Sequence, residues 1–462
     1  LKVLRGTFLT SSHKRSERAN SRILVVTEVG NWRRGYDYRL QRFETRDVFF
    51  HDTVKKLVEL GYDVTVVDFE NRPGELLKAR TTNRLRRQSF GVPVLPWEKY
   101  VSLGIIMRSR TWSKNFANLW KELQLSDEFA RSLTYAGVPM YELIKDDIAD
   151  LFKSLKAYAA ITFIEAAKKI MEEEQPSVVA MHDEYGALQL SLIIAARAKG
   201  IPSVSLQHGL ISEEQISYIH DREHVSGERR ELLFPIPDRM CVWSKISEQN
   251  LTEIAKFPPT VPVVTGDPKS DFLPEAIKAF NRSKILQKHG IPETCKVVLF
   301  ATENLPSQEE KLLITKSVLG AVKAISGCYL MIKIHPIETD IGFYERSATE
   351  SGLKNFSILK DVNLYELLYA SDVIVLSYST VAAEAMRMGK PVISLNLMGL
   401  HDNVPFVKNG VALVVNHAGD LHPSIQKCLE KPPDIEEIVI RAKGFAEEQL
   451  GAADGMATER VV

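Results

Sequence analysis

Cysteine is scarce in this sequence, and no cysteine spacing typical of a zinc site occurs. The four cysteines are widely separated, with no Cys-x-x-Cys pair: Cys241, Cys295, Cys328 and Cys428. Structural zinc sites and the disulfide frameworks of small secreted proteins need closely spaced or numerous cysteines. The scarcity therefore argues against both of these architectures and favours a reducing compartment.

A long apolar run is missing as well. A helix needs roughly 20 predominantly apolar residues to span a bilayer. The most apolar stretch, 187–206, is interrupted by Arg197 and Lys199. The first 22 residues are basic and polar and lack the apolar core of a signal peptide. We therefore expect a cytoplasmic protein.

Net charge is also lacking, because 59 Lys and Arg balance 59 Asp and Glu. No overall field attracts nucleic acid, and we expect no nucleic-acid partner. Locally, residues 71–115 carry ten Lys or Arg against two Glu. The segment is either a solvated surface or a patch for an acidic acceptor or the anionic inner face of a membrane. In the second case we expect Arg84, Arg86 and Arg87 to bind the acceptor.

The remaining composition is that of a globular protein, with 45% hydrophobic and 26% charged residues over 462 positions. Residues 23–206 and 296–415 alternate short apolar runs with helical patterns, which predicts parallel sheets covered by helices. We predict an α/β fold of two Rossmann-like, doubly wound domains facing a central cleft. The expected boundaries are 1–271, a linker at 272–295, and 296–462, with a last helix that packs back on the first domain.

The clearest motif follows the predicted strand 372–376. Ser377 ends the strand, and Ser379 stands where a helix N-cap belongs. Free backbone N–H groups at Ser379 and Thr380, together with the helix dipole, predict an anion site. One turn further on, the carboxylate of Glu384 can accept both hydroxyls of a ribose. The alternative is a plain capped helix with Glu384 in a surface salt bridge.

A histidine follows the predicted strand 329–334 in the same domain. Pro336 fixes the backbone there and leaves His335 aimed at the cleft. A protonated imidazole beside a phosphate can donate a hydrogen bond to it. We therefore expect His335, with Lys333 before it, to bind a donor phosphate, whereas the alternative is a solvated loop histidine.

Two strands of the first domain also end in residues suited to catalysis. The strand 203–206 runs into Gln-His-Gly, and the strand 177–181 runs into His-Asp-Glu-Tyr-Gly. Adjacent carboxylates suit general-base work, although Asp183 could serve only as a helix cap. The candidate catalytic residues are Asp183, Glu184 and His208.

These motifs together carry a resemblance. The block 361–391, with Ser-Thr, Glu384 and Gly-Lys-Pro-Val-Ile, resembles the donor half of GT-B glycosyltransferases. With Gln-His-Gly and Lys-Ile-His-Pro, the chain is similar to bacterial and archaeal surface-polysaccharide enzymes. These include capsule polysaccharide transferases, polysialyltransferases and teichoic-acid glycerophosphotransferases. The resemblance covers roughly 177–415.

The resemblance implies a glycosyltransferase that moves a sugar from a nucleotide donor to a glycan or lipid-linked acceptor. The first domain would bind the acceptor and the second the nucleotide sugar. His335, Ser379 and Thr380, with Ser377 and Lys333 nearby, would contact the donor phosphate, and Glu384 its ribose. We expect no metal and no cofactor beyond the donor, whose nucleotide (UDP, CMP, CDP or GDP) stays open.

The catalytic base stays open too. Polysialyltransferases have an acidic pair followed by Gly, one acid serving as base, but here Tyr185 separates Asp183 and Glu184 from Gly186. In the glycerophosphotransferases a His-Gly histidine is implicated, which makes His208 the competing candidate. The stretch 266–271 resembles the turn that ends the N-terminal lobe in this superfamily.

Two other functions fit the architecture. A non-hydrolysing sugar-nucleotide 2-epimerase has the same fold, but its His-Val-Glu-Ala-Gly-like and Ser-Gly-Gly-x-x-Glu-Glu segments differ from those of this chain. A non-catalytic sugar-nucleotide-binding module would keep His335 and Glu384 but would need no acidic pair. We therefore expect sugar transfer.

Overall fold

Two all-parallel β-sheets form the framework of the chain, in a computed structural model that describes residues 22–462 with some gaps. The gaps are 38–41, 70–89, 136, 154, 213–214, 221–224, 226–233, 304, 306, 336–337, 339, 361 and 401–403. Buried apolar clusters lie on either face of each sheet. The predicted α/β fold of two doubly wound domains is confirmed.

The N-terminal domain is built on a seven-stranded sheet with the order β11-β10-β9-β8-β1-β4-β5. In chain order the strands of this domain are β1 (Arg22–Glu28), β2 (Trp32–Asp37), β3 (Arg42–Asp47), β4 (Asp63–Phe69), β5 (Val94–Pro96), β6 (Thr134–Tyr135), β7 (Val138–Pro139), β8 (Val178–His182), β9 (Ser203–Leu206), β10 (Arg239–Val242) and β11 (Pro262–Val264). The pairs β2–β3 and β6–β7 form separate antiparallel ribbons. Within the main sheet the strand order reverses between β1 and β8, where ligands bind in folds of this kind.

The C-terminal domain is built on a six-stranded sheet with the order β14-β13-β12-β15-β16-β17. Its strands are β12 (Lys296–Ala301), β13 (Cys328–Lys333), β14 (Phe356–Leu359), β15 (Val373–Leu376), β16 (Val392–Leu395) and β17 (Leu413–Val415). Counted in chain order, this is the 3-2-1-4-5-6 arrangement of dinucleotide-binding sheets. The order reverses between β12 and β15, so the residues after these two strands face a natural crevice.

Helices connect the strands and cover both sheets. In chain order they are α1 (His51–Glu59), α2 (Leu103–Leu123), α3 (Asp127–Ser132), α4 (Tyr141–Lys153), α5 (Leu155–Glu174), α6 (Ala187–Ala198), α7 (Lys245–Gln249), α8 (Leu273–Ala279), α9 (Arg282–Lys288), α10 (Gln308–Lys323), α11 (Ile341–Ser351), α12 (Leu364–Ala370), α13 (Val381–Arg387), α14 (Pro405–Lys408), α15 (Leu421–Glu430), α16 (Pro433–Leu450) and α17 (Ala457–Val461). Helices α2 to α5 lie between β5 and β8. Helices α8 and α9 lie between the two sheets in sequence.

Side chains of the central strands alternate between the two faces of their sheet. In β12, Val298 and Phe300 join one buried cluster, while Val297 and Leu299 join the other. Successive side chains of a strand point to opposite faces, and both faces here are covered. This explains why the strands read as continuous apolar runs rather than as alternating patterns.

The C-terminal segment crosses back to the N-terminal domain. Asp271 accepts hydrogen bonds from the backbone N–H groups of Ala457 (2.9 Å) and Thr458 (2.7 Å) at the start of α17. Gly451 has φ +73°, and a Cβ there would fall 1.9 Å from the carbonyl oxygen of Trp243. A residue without a side chain is therefore required where the chain passes between the domains.

The structure also bears on the long apolar runs and the cysteines that were considered in the sequence. Among the described residues, no helix has the length and apolar character needed to cross a bilayer. All four cysteines are free thiols, and Cys241, Cys328 and Cys428 are buried.

Candidate active site between the domains

The carboxyl ends of the two sheets border a shared cavity. It has a volume of about 500 Å³ and is lined by Gly209, Leu210 and Gln215 from the loop after β9. Tyr378 and Thr380 from the loop after β15 line its opposite side. The predicted cleft between the domains is therefore present.

The neighbouring carboxylates after β8 have different surroundings. Glu184 is only 2% exposed. Its two oxygens accept hydrogen bonds from the Ser205 hydroxyl (2.7 Å) and the Tyr218 hydroxyl (2.5 Å). Because a buried carboxylate with both oxygens bound is held beneath the surface, we infer a structural role for Glu184.

Asp183 adopts an unusual backbone conformation at the cleft. Its φ of +55° lies in the left-handed region, which is unfavourable for a residue with a side chain and is enriched at functional sites. Its carboxylate lies 3.9 Å from Nε2 of His208. Burial and the charge of Glu28 raise the pKa of Asp183 to about 6. This carboxyl therefore titrates close to neutrality.

His208 completes a small polar group with Asp183. Its Nε2 lies 3.0 Å from the hydroxyl of Tyr185, which in turn accepts a hydrogen bond from the side-chain amide of Gln215 (3.0 Å). Burial lowers the pKa of His208, Glu184 opposes this effect, and Lys269 adds to it. A neutral imidazole at physiological pH is the form that can accept a proton.

A glutamine fixes the loop that carries His208. The side-chain oxygen of Gln207 accepts a hydrogen bond from the backbone N–H of Trp243 (2.8 Å), and its amide donates to the carbonyl of Gly209 (2.7 Å). Gln207 is buried. The Gln-His-Gly motif therefore combines a rigid anchor with the imidazole that it presents to the cleft.

In the C-terminal domain, a carboxylate of the same domain occupies the predicted anion site. One oxygen of Glu303 accepts hydrogen bonds from the backbone N–H groups of Ser377 (3.2 Å), Tyr378 (2.9 Å) and Ser379 (2.7 Å). Burial raises the pKa of Glu303, while these hydrogen bonds oppose the effect. The expectation of a free N–H at Ser379 is therefore wrong.

The position of Glu303 explains this difference. It follows β12, which pairs with β15 in the sheet, so its side chain reaches the loop after β15. The sequence pattern at 372–391 could not predict this contact, because Glu303 lies more than 70 positions earlier in the chain. The Ser379 hydroxyl accepts a hydrogen bond from the N–H of Val381 (3.3 Å) at the start of α13. Thr380 remains on the wall of the cavity.

The other predicted donor residues lie on the same side of the second sheet. The N–H of His335 donates to the Thr302 hydroxyl (2.9 Å), and the Lys333 ammonium donates to the carbonyl of Ile334 (2.7 Å). Glu384 accepts a hydrogen bond from the Tyr365 hydroxyl (3.2 Å). Burial raises the pKa of Glu384, and Lys269 opposes the effect.

Lys269 is a candidate that the sequence analysis missed. It lies on the turn Pro268–Ser270, within the stretch that was interpreted only as the end of the N-terminal lobe. Its charge acts on both His208 and Glu384, which belong to opposite domains. The sequence feature that could have identified Lys269 is a single lysine in the segment Gly-Asp-Pro-Lys-Ser-Asp, which follows the last strand of the first sheet.

Two further sets of residues are candidates for ligand binding. Arg84, Arg86 and Arg87 fall outside the residues that the structure describes, so their acceptor role stays a prediction. Within the described residues, ligand atoms of Asp37, Glu44 and His51 lie within 4.8 Å of one another, as a metal ion would require. However, the Lys55 ammonium stands 3.9 Å from Asp37 and would repel a cation.

Comparison with known proteins bears on the fold. No family model and no curated protein sequence matches the chain. A UDP-GlcNAc 2-epimerase from Neisseria meningitidis, solved with UDP-GlcNAc bound, has a similar structure with a TM-score of 0.57. The two sequences are 16% identical over 95% of this chain and 98% of that one. The chain has the GT-B fold.

Other solved structures with a similar fold include enzymes named for different reactions. A UDP-GlcNAc 2-epimerase from Methanocaldococcus jannaschii, solved with UDP-GlcNAc and UDP, is 12% identical with a TM-score of 0.52, covering 95% of this chain and 98% of that one. A glycosyltransferase from Rickettsia africae is 13% identical with a TM-score of 0.51, covering 96% and 97%. At these identities the likeness establishes the GT-B fold and leaves the reaction open.

Proposed function

We propose that this GT-B protein is a glycosyltransferase that moves a sugar from a nucleotide donor to a hydroxyl of a glycan or lipid-linked acceptor. The observation that carries the proposal is the group of Asp183, Tyr185 and His208, which adjoins the cavity through Gly209 and Gln215. The opposite side of the cleft is formed by the C-terminal domain, whose six-stranded sheet has the strand order of dinucleotide-binding domains. The catalytic group thus faces the place where an activated donor would bind.

In the proposed reaction, His208 is the base. The acceptor hydroxyl takes the place of the Tyr185 hydroxyl at Nε2 and gives its proton to the imidazole. The acceptor oxygen then bonds to the anomeric carbon, and the bond from this carbon to the phosphate oxygen breaks. Asp183, 3.9 Å from Nε2, stabilises the imidazolium that forms. The nucleotide leaves with the electron pair.

The negative charge of the leaving nucleotide needs partners in the C-terminal domain. Since Glu303 occupies the N–H groups of 377–379, we assign this task to His335, Thr380 and Lys269. Preorganised donors of this kind stabilise developing charge by several kcal/mol in a site with little water. Glu384 accepts the ribose hydroxyls, with the Tyr365 hydroxyl holding its carboxylate.

The 2-epimerase is the second candidate, favoured by the likeness to two epimerases over nearly the whole chain. Incubation with a 13C-labelled UDP-sugar and no acceptor separates the two reactions. An epimerase changes the configuration at C2, which NMR detects directly. A transferase returns the donor unchanged or hydrolyses it slowly, and then transfers the sugar once an acceptor is added.

We further propose that the acceptor is reached at a membrane surface and belongs to polysaccharide synthesis. Of the 26 most exposed large apolar side chains in the described residues, 11 lie between Leu103 and Leu155, in the helical insertion α2 to α4 and its flanks. Helix α2 also exposes Arg110 and Lys114. An apolar and basic surface of this kind suits an anionic bilayer.

The nucleotide is identified by a thermal-shift panel of UDP, GDP, CDP, CMP and dTDP. A ligand present at about 100 times its dissociation constant stabilises the folded state by roughly 2.7 kcal/mol. We expect one base to stand out, followed by transfer from the matching sugar nucleotide. If every nucleotide leaves the melting temperature unchanged, both the transferase and the epimerase are excluded.

A further inference from the structure

Lys269 is held at the junction of the two domains. Its backbone N–H donates to a carboxylate oxygen of Asp267 (3.1 Å). Its ammonium lies 4.6 Å from the ring centre of Trp243 and 5.2 Å from that of Phe49. Cation–π contacts of this kind fix a charge without neutralising it. The side chain keeps 25% of its surface exposed, so a ligand can reach it.

Trp243, whose ring lies under the Lys269 ammonium, contacts both the N-terminal and the C-terminal part of the candidate site. The backbone N–H of Trp243 is bound by Gln207, the neighbour of His208 in the chain. The Trp243 side chain packs in one apolar cluster with Ala383, the neighbour of Glu384. The segments that carry the proposed base and the proposed ribose ligand therefore both contact Trp243, and the Lys269 ammonium lies over the ring of this tryptophan.

Two cations of the C-terminal domain donate hydrogen bonds to backbone carbonyls. The Lys333 ammonium donates to the carbonyl of Ile334 (2.7 Å), and the Arg387 guanidinium donates to the carbonyl of Gly451 (2.6 Å). The carboxylate of Asp267 is 4.0 Å from the Lys269 ammonium, beyond hydrogen-bond distance. Of these three cations, Lys269 is the one best placed to receive an anionic ligand.

The effect of the Lys269 ammonium depends on the other groups that surround His208. The imidazole faces Asp183 at 3.9 Å and the Tyr185 hydroxyl at 3.0 Å, with the His182 ring centre 6.4 Å away. Burial lowers the pKa of His208, Glu184 raises it, and Lys269 lowers it further. Lys269 is thus the positive charge that opposes protonation of the imidazole.

We propose that Lys269 binds the phosphate of the donor and couples donor binding to the base strength of His208. The identity of the ligand rests on the proposed function, whereas the coupling of Lys269 to His208 rests on shared neighbours and charge. The Lys269 ammonium lies 5.2 Å from the Phe49 ring, whose centre is 4.7 Å from that of the His182 ring beside His208. A bound anion screens the ammonium, so the imidazole holds a proton more tightly when the donor is present. By reciprocity, a nucleotide binds more tightly when His208 is protonated. The base becomes strong only when there is a sugar to transfer.

The coupling is tested by NMR titration of His208 in the ligand-free protein, with its signal assigned by loss in His208→Gln. Removal of the cation in Lys269→Met is expected to raise the pKa of His208, and Lys269→Arg is expected to restore it. Lys278→Met, an exposed lysine on α8, serves as the matched control. An unchanged titration in Lys269→Met would overturn the coupling, whatever the reaction proves to be.

Phosphate recognition is tested with UDP and inorganic pyrophosphate as probes. Saturating UDP is expected to raise the pKa of His208 in the wild type but not in Lys269→Met. The dissociation constant of either probe should increase about tenfold or more in Lys269→Met, because a charge-assisted contact is lost. Equal affinity of both proteins would overturn the phosphate assignment. If neither probe binds the wild type, the proposed function and the phosphate assignment fail together, while the ligand-free titration still decides the coupling.

Discussion

Asp183 and Glu184 illustrate how the surroundings of a side chain decide its chemistry. The Glu184 carboxylate is buried between two hydroxyl donors, whereas Asp183 borders the cleft in a left-handed conformation. Burial without a cationic partner raises the pKa of Asp183 to about 6 and lowers that of His208. The two shifts run in opposite directions, and burial is the largest cause of both.

Replacement of the proposed base should remove transfer but not donor binding. We expect His208→Gln to lower kcat by about 10² to 10⁴, the usual contribution of a general base. The dissociation constant of the nucleotide, measured by calorimetry, should stay close to that of the wild type. Near-normal kcat in His208→Gln together with a large loss in Asp183→Asn would assign the base to Asp183.

The pH profile of transfer should have an acidic limb. Since Asp183 must be ionised to stabilise the imidazolium of His208, kcat/KM is expected to fall as the pH decreases through about 6, the pKa of Asp183. The limb belongs to the coupled pair rather than to one residue. Rates measured from about pH 5 to pH 9 test this, and a rate that is constant down to about pH 5 would contradict it.

Glu184 is expected to support the fold rather than the reaction. Glu184→Gln leaves the Ser205 and Tyr218 hydroxyls facing an amide that cannot accept both hydrogen bonds. The free energy of unfolding should fall by about 1 to 3 kcal/mol, measured by urea denaturation. Glu275→Gln, at an exposed carboxylate on α8, is the control. A Glu184→Gln protein of normal stability that has lost transfer would reinstate Glu184 as the base.

At the scale of elements, apolar runs located the strands well, because each central strand is buried on both faces. The predicted strand 203–206 coincides with β9, and the predicted strand 372–376 differs from β15 by one residue. Turn residues placed the candidate side chains at the strand ends. Local sequence was sufficient for these features because strand formation and chain reversal depend on neighbouring residues.

The surroundings of three site residues depend on contacts with residues that are distant in the sequence, so local sequence patterns could not predict them. Glu303 reaches the loop after β15 only because β12 and β15 pair in the sheet. The burial of Glu184 depends on Tyr218, 34 residues away. Lys269 gains its place from two aromatic rings on separate segments. The correct strand ends were therefore predicted, but the occupant of the anion site was not.

Helix α2 provides a test of membrane contact. Leu103 and Met107 lie one turn apart, on a face shared with Arg110 and Lys114 by helical spacing, and are 70% and 62% exposed. Sedimentation with vesicles containing phosphatidylserine should capture the protein better than neutral vesicles do. Leu103→Glu with Met107→Glu should weaken binding roughly tenfold.

A control for this experiment lies elsewhere on the surface. Ile440 on α16 is 72% exposed, and Ile440→Glu introduces the same change outside the helical insertion. Its binding to vesicles should equal that of the wild type. Equal binding by all three proteins would remove α2 from the membrane contact.

At the scale of the molecule, both sheets contain the strand order 3-2-1-4-5-6, to which the first sheet adds a seventh strand, and both bring their reversal points to one cleft. The first reversal point presents Glu28 and Asp183, and the second presents Glu303 and Ser377. The C-terminal segment links the domains through Asp271 and the glycine at 451. Solved structures of an epimerase and a glycosyltransferase have this fold, so the side chains in the cleft must decide the reaction.

Titration calorimetry of the nucleotide selected by the thermal-shift panel tests the central claim most directly. The claim is that a nucleotide binds in the cleft with its ribose on Glu384. We predict saturable binding to the wild type, at least about tenfold weaker binding to Glu384→Ala, and unchanged binding to Glu350→Ala, an exposed control on α11. Equal affinity of Glu384→Ala and the wild type would contradict the account.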